Sequence, residues 1–219
     1  HYSDSLSNHV SAYFRLKGLS VCVRPVGRLD KETSGIVLFA KNQVAAQRLQ
    51  EQRAKGLLEK QYLAITEGKL PIDQNSDWHT IDCPIRKTGN HPLRMEAIKN
   101  INMSAMEQSV CENPMDNVGY LHAVTHYRVL DSTDEWSVVN LKLDTGRTHQ
   151  IRVHMLSIGH PLLGDSLYNR ALDKKELYSI NSAALHAWKV SFYQPFTKNK
   201  IILEASLPED FQQFYQKKI

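Results

Sequence analysis

The chain has 219 residues, which suits one large domain or two small ones, and 42% are hydrophobic against 23% charged. That balance excludes a disordered chain. The 27 Lys and Arg against 23 Asp and Glu leave a formal charge of +4, which permits a polyanionic partner without demanding one. No apolar run approaches the length of a membrane span, so a membrane-spanning protein is not expected. Three scattered cysteines, Cys22, Cys83 and Cys111, offer neither a disulfide framework nor a zinc knuckle and suit reduced, cytoplasmic thiols. The first residue is His1 rather than Met, so the N-terminus says nothing about localisation.

In chain order, Leu6, Val10, Tyr13 and Phe14 fall at helical spacing, which predicts a helix over 4–17 stopped by Gly18. The run Ile36-Val37-Leu38-Phe39-Ala40 reads as a buried strand. Asn42 is then a good N-cap for a helix that ends at Gly56. Segment 60–68 reads as a strand. The middle of the chain, rich in Pro and Asn, is expected to hold short strands near 80–86 and 93–99 and a loop at 100–118. The clearest strand pair is 121–130 with 136–143. In the second of these Val139, Leu141 and Leu143 alternate with Asn140 and Lys142, which implies one buried face. A helix is predicted over 147–159, opened by Arg147 and closed by Gly159. Strands near 183–193 and 199–204 and a short helix near 208–217 complete the chain. Strands outnumber helices without strict alternation, which predicts an α+β fold: a mixed, mainly antiparallel sheet core with flanking helices.

Three places can carry chemistry. Asp30 precedes the strand at 36–40, beside Arg28, Thr33, Ser34 and Gly35. It is either a turn residue or a carboxylate held for nucleophilic work by a rigid sheet. Arg147, in "TGRTHQIRVH", presents a planar donor fork that either keeps a buried Asp charged or grips phosphate. Tyr62, between Gln61 and Leu63, is either a core aromatic or a platform for a nucleobase. His149 and His154 are five apart, off one helical face, and "HQIRVH" lacks the Glu of a zinc-protease helix, so no metal site is expected. A metal-dependent nuclease built on these histidines is correspondingly disfavoured. The chain has no GxGxxG after a strand, no P-loop and no nucleophile elbow.

Together, "RLDKETSGIVLFAKN" (28–42), "EKQYLAITEG" (59–68), "AVTHYRVL" (123–130), "TGRTHQIRVHMLSIGHPLLGDSLY" (145–168) and "ALHAW" (184–188) resemble the RluA-type pseudouridine synthases, in the family's order. The resemblance implies the pseudouridine synthase catalytic fold as a single domain over 1–219. It would lack the family's usual N-terminal strand and any S4 domain. It implies isomerisation of uridine to pseudouridine in ribosomal or transfer RNA, with the base flipped out. By the resemblance, Asp30 is the nucleophile, attacking either the ribose or the uracil ring. Tyr62 stacks on the uracil, and Arg147 pairs with Asp30. Arg28, Lys60, His149 and Arg152 are expected to contact RNA, and Leu29, Thr33, Ile151 and Leu185 to line the pocket. No cofactor and no metal are implied, and a cytoplasmic monomer is expected. The alternative is an RNA-binding or remodelling protein on the same fold that isomerises nothing. One residue departs from the family: its usual His before the RLD triplet is Gly27 here.

Overall fold

The structure, a computed structural model, describes residues 5–72, 77–89, 94–98, 119–169 and 178–214. Its elements in chain order are α1 (Leu6–Leu16), β1 (Arg24–Val26), β2 (Ser34–Gly35), β3 (Leu38–Ala40), α2 (Gln43–Ala54), β4 (Glu59–Glu67) and β5 (His79–Asp82). Then come β6 (Ile85–Lys87), β7 (Met95–Ala97), β8 (Val124–Ser132), β9 (Trp136–Leu143), α3 (Gln150–Ser157), β10 (Leu185–Tyr193), β11 (Lys200–Glu204) and α4 (Glu209–Gln212). The pairs β1–β3, β10–β11, β5–β8, β6–β7 and β8–β9 are antiparallel, and the fold is α+β as the sequence predicts. The expected loop at 100–118 lies outside the described residues. The chain divides into two compact units, His1–Gln61 with Ala187–Ser206 and Tyr62–His186 with Leu207–Ile219.

In the first unit, β1 and β3 pair antiparallel, Val26 opposite Leu38, and β10 pairs with β11, Val190 opposite Leu203. Their apolar sides close on α2 through Val26, Ala40, Ala45, Leu49, Leu58, Val190 and Phe192. Asn42 caps α2, its side-chain oxygen accepting from the Ala45 N–H at 2.8 Å. Gln52, a polar residue on the buried side of α2, is satisfied: its Nε2 donates to the Tyr193 carbonyl and its Oε1 accepts from the Tyr193 N–H, at 2.7 and 2.8 Å. The stripe that predicts α1 buries only Phe14, whereas Leu6 and Tyr13 are each 54% exposed. The expected strand at 36–40 is shorter. Ile36 and Val37 leave the strand geometry between β2 and β3, because the Ile36 N–H is drawn to the Ala187 carbonyl at 2.9 Å.

In the second unit the strand order runs β4, β9, β8, β5. The expected one-sided burial of β9 is corrected: Ser137 to Leu141 are all buried, Asn140 at 1% exposure, because β9 is an interior strand covered on both faces. A bulge in β8 between Val129 and Asp131 keeps register with Val139 and Val138. A second core joins Ile85, Met95, Ala123, Val153 and Tyr168. Nearby, His154 on α3 is fully buried, with Nδ1 at 2.8 Å from Thr125 Oγ1 and Nε2 at 2.8 Å from the Cys83 carbonyl.

Burial pushes the His154 imidazole below its ordinary value of 6.5, while the Cys83 carbonyl and, more weakly, Asp82 oppose the shift. A histidine with a lowered folded-state pKa binds its proton more readily when unfolded. Its contribution is therefore intact above about 6.5 and is lost as pH falls below that value. Thermal melting between about pH 7.5 and about pH 5.5 should show a falling midpoint in the native chain and a flatter one in His154→Gln. Equal slopes would remove His154 from the account.

Candidate active site

The first unit carries the Asp30 loop. The Thr33 N–H closes a turn onto the Asp30 carbonyl at 3.0 Å, and Lys31 and Glu32 form the turn's tip. The Asp30 side chain is 16% exposed and lies 3.6 Å from Arg28, whose own side chain is 65% exposed. This ion pair is worth little by itself, because one partner is solvated. Leu29 and Thr33 are half-buried.

Two glycines shape the loop. Gly27 stands at φ +81°, where a residue with a Cβ is strained, and this accounts for glycine before the RLD triplet. Gly35 stands at φ +103°, and a Cβ there would lie 2.3 Å from the Ala187 carbonyl oxygen. Gly35→Ala should therefore destabilise this unit by about 3 kcal/mol in urea unfolding, since backbone on both sides must move. A change within about 0.5 kcal/mol would show that the close approach is dispensable.

Lys60 meets the same segment, its Nζ donating to the Ile36 carbonyl at 3.4 Å. Burial, helped by the neighbouring Arg53, lowers its ammonium to about 8. Lys60 therefore anchors the end of the loop, a role its sequence context did not suggest beside the expected RNA contact.

The second unit carries the other expected residues. Tyr62, at 8% exposure, opens the buried run Tyr62–Thr66 of β4. Arg147 does not open a helix; α3 begins at Gln150, and Arg147 sits in the preceding turn with its side chain exposed. Its Nε donates to the His122 carbonyl at 3.1 Å, and its backbone N–H donates to Gln150 Oε1 at 3.0 Å. His149 adopts the left-handed conformation at φ 56°, which displaces the helix start by three residues from the expected position. Its Nδ1 shares a hydrogen bond with the Tyr168 hydroxyl at 2.9 Å.

Arg152, expected among the RNA contacts, is corrected to a buried structural role. Its Nε and Nη2 reach the two Asp165 oxygens at 2.7 and 2.6 Å, with side-chain exposures of 4% and 0%. Asp165 Oδ1 also accepts from the Leu167 and Tyr168 N–H groups, both at 3.0 Å. The guanidinium lies 5.1 Å over the Tyr168 ring, so the group has no freedom to reach a polyanion. The burial of Arg152 follows from Asp165, thirteen residues on. Of the expected pocket residues, Ile151 and Leu185 are both 4% exposed. Among the described residues no three His, Cys, Asp or Glu side chains gather as a metal set, and no helix is long and apolar enough to cross a membrane.

The architecture is that of the pseudouridylate synthases. It superposes on human RNA pseudouridylate synthase domain containing 1 with a TM-score of 0.68 at 25% identity, over 93% of this chain and 74% of that one. Human RNA pseudouridylate synthase domain containing 4 also scores 0.68, at 23% identity over 96% of this chain and 82% of that one, and supports the fold alone.

Residues 3–157 match the RNA pseudouridylate synthase family, and the chain belongs to it, as an RluA-type member. An uncharacterized RNA pseudouridine synthase of Bacillus subtilis, YhcT, is 38% identical over 212 residues, covering 96% of this chain and 61% of that protein. Ribosomal large subunit pseudouridine synthase D of Nitrosomonas europaea is 34% identical over 195 residues, covering 87% of this chain and 50% of that protein. The chain thus spans between half and two thirds of the length of these curated relatives.

Proposed function

We propose that this protein isomerises uridine to pseudouridine in structured RNA, with Asp30 as the nucleophile. The observation that carries the reading is the family match over residues 3–157, which encloses Asp30, Tyr62 and Arg147. In the reaction the N1–C1′ bond breaks, the uracil rotates, and a C5–C1′ bond forms. The C5 proton leaves and N1 regains one, so atoms and electrons balance without a cofactor. A carboxylate held on a short turn beside a strand is pre-oriented for attack, whether on the ribose or on the ring.

Tyr62 is assigned the face of the flipped uracil, where stacking contributes about 1–3 kcal/mol, against the few kcal/mol that flipping costs. Arg147 is assigned to keep Asp30 charged, on the family likeness. Arg28 and His149 are assigned to the RNA, with Lys60 anchoring the loop. Residues 1–219 are assigned to a pseudouridine synthase catalytic domain. Ribosomal RNA is favoured over transfer RNA as substrate by the likeness to the ribosomal large subunit pseudouridine synthase of Nitrosomonas, and the cytoplasm is the compartment assigned.

The test is pseudouridine mapping. Cellular RNA is incubated with the protein, and carbodiimide-resistant uridines are read by primer extension. New stops confined to a few uridines are the expected result. Binding without any new stop would favour the RNA-binding alternative.

A further inference from the structure

Gln150, the first residue of α3, is 2% exposed, and its side chain is fully engaged. Its Oε1 accepts from the Arg147 backbone N–H at 3.0 Å and from the Thr145 hydroxyl at 2.8 Å. Its Nε2 donates to the Val124 carbonyl at 2.9 Å and to Thr125 Oγ1 at 3.1 Å. Thr145 Oγ1 in turn accepts from the Val124 N–H at 3.0 Å. The loop that holds Arg147 is thereby tied to β8 by one amide.

The direction of every bond in this chain is fixed from its far end. The Cys83 carbonyl can only accept, so His154 Nε2 carries the ring proton and Nδ1 accepts from the Thr125 hydroxyl. The Thr125 oxygen is then left to accept from Gln150 Nε2, and Gln150 must turn its oxygen toward Arg147. Reversing the amide would set two donors against each other at the Arg147 N–H and would cost a buried hydrogen bond.

We propose that Gln150 is the positioning residue for Arg147, its orientation locked by Thr125 and neutral His154. The inference rests on the reading of Arg147 as a working group in catalysis. Gln150 touches no substrate; it sets where the Arg147 backbone stands, and so where the guanidinium starts. A displacement of about 1 Å in such a group can cost on the order of 100-fold in rate.

The test compares Gln150→Leu, Gln150→Glu and Arg147→Met on one modified RNA, with melting to confirm folding. Gln150→Leu removes both the acceptor and the donors. It should lower kcat by at least about 30-fold while RNA affinity stays within about threefold. Gln150→Glu, when protonated, still accepts from Arg147 and donates to Val124. It should recover part of kcat near pH 6 and lose it toward pH 9, although the buried carboxyl makes it the less stable variant. A merely structural residue would have activity follow stability, the opposite order.

Amide exchange at Arg147 gives a readout independent of turnover, with faster exchange expected in Gln150→Leu. If Gln150→Leu does not fold, Thr145→Val removes one donor to Gln150 Oε1, and a kcat loss of at least about threefold is expected. Unchanged kcat in a folded Gln150→Leu, or a kcat loss matched by lost affinity, overturns the inference. Full activity in Arg147→Met instead overturns the role of Arg147 itself, which keeps the two failures distinct.

Discussion

Asp30→Asn should abolish pseudouridine formation, with a rate loss of at least about 1,000-fold, while RNA binding survives. Asn keeps the shape and the polarity of the side chain but has no anionic oxygen to form the bond to the nucleoside. Melting of the variant, read beside its activity, separates a lost nucleophile from a lost fold. Arg28, 3.6 Å from Asp30, is itself 65% exposed, and such pairs contribute at most about 1 kcal/mol. A folded Asp30→Asn protein with activity within about tenfold of the native chain would remove Asp30 from the nucleophile's role.

The largest expected effect on stability lies at Arg152. Replacing it by Met leaves the Asp165 carboxylate fully buried and facing a methyl group, with only the backbone N–H groups of Leu167 and Tyr168 to hold it. Breaking a buried pair from one side typically costs about 3–5 kcal/mol. Urea unfolding should show that loss at an unchanged m-value. Adding Asp165→Asn should recover part of it, because the neutral side chain still accepts from the two backbone donors. A loss below about 1 kcal/mol, or no recovery in the double variant, would contradict the structural role assigned to the pair.

Features governed by neighbours in sequence were legible in it. Asn42 announces α2 because capping is a contact three residues long, and the structure shows that contact at 2.8 Å. β9 was legible as a strand, and the Asp30, Tyr62 and Arg147 segments were legible as family motifs. What failed depended on distant partners. The break at Ile36 comes from Ala187, and burial of both faces of β9 comes from chain packed on both sides of the sheet rather than from its own alternation. Arg152 was expected at the RNA through the family resemblance, while Asp165, the partner that buries it, lies thirteen residues on. Gln150 was missed for a related reason. As a lone Gln between His149 and Ile151 it has no periodicity of its own, and its meaning lies in Val124, Thr125 and Thr145. The start of α3 was placed three residues early because nothing local signals a left-handed His149. A buried histidine bonded to a carbonyl is likewise invisible until the fold brings Cys83 to His154.

The central claim is that Asp30 opens the route by which uracil exchanges its N1 bond to the ribose for one at C5. That exchange releases the C5 hydrogen, so RNA carrying tritium at uracil C5 reports it directly. The native chain should release tritium to water in proportion to the pseudouridine formed, and Asp30→Asn, bound to the same RNA, should release none above background. Release by the Asn variant at the native rate, or no release by the native chain from any ribosomal or transfer RNA, would contradict the account.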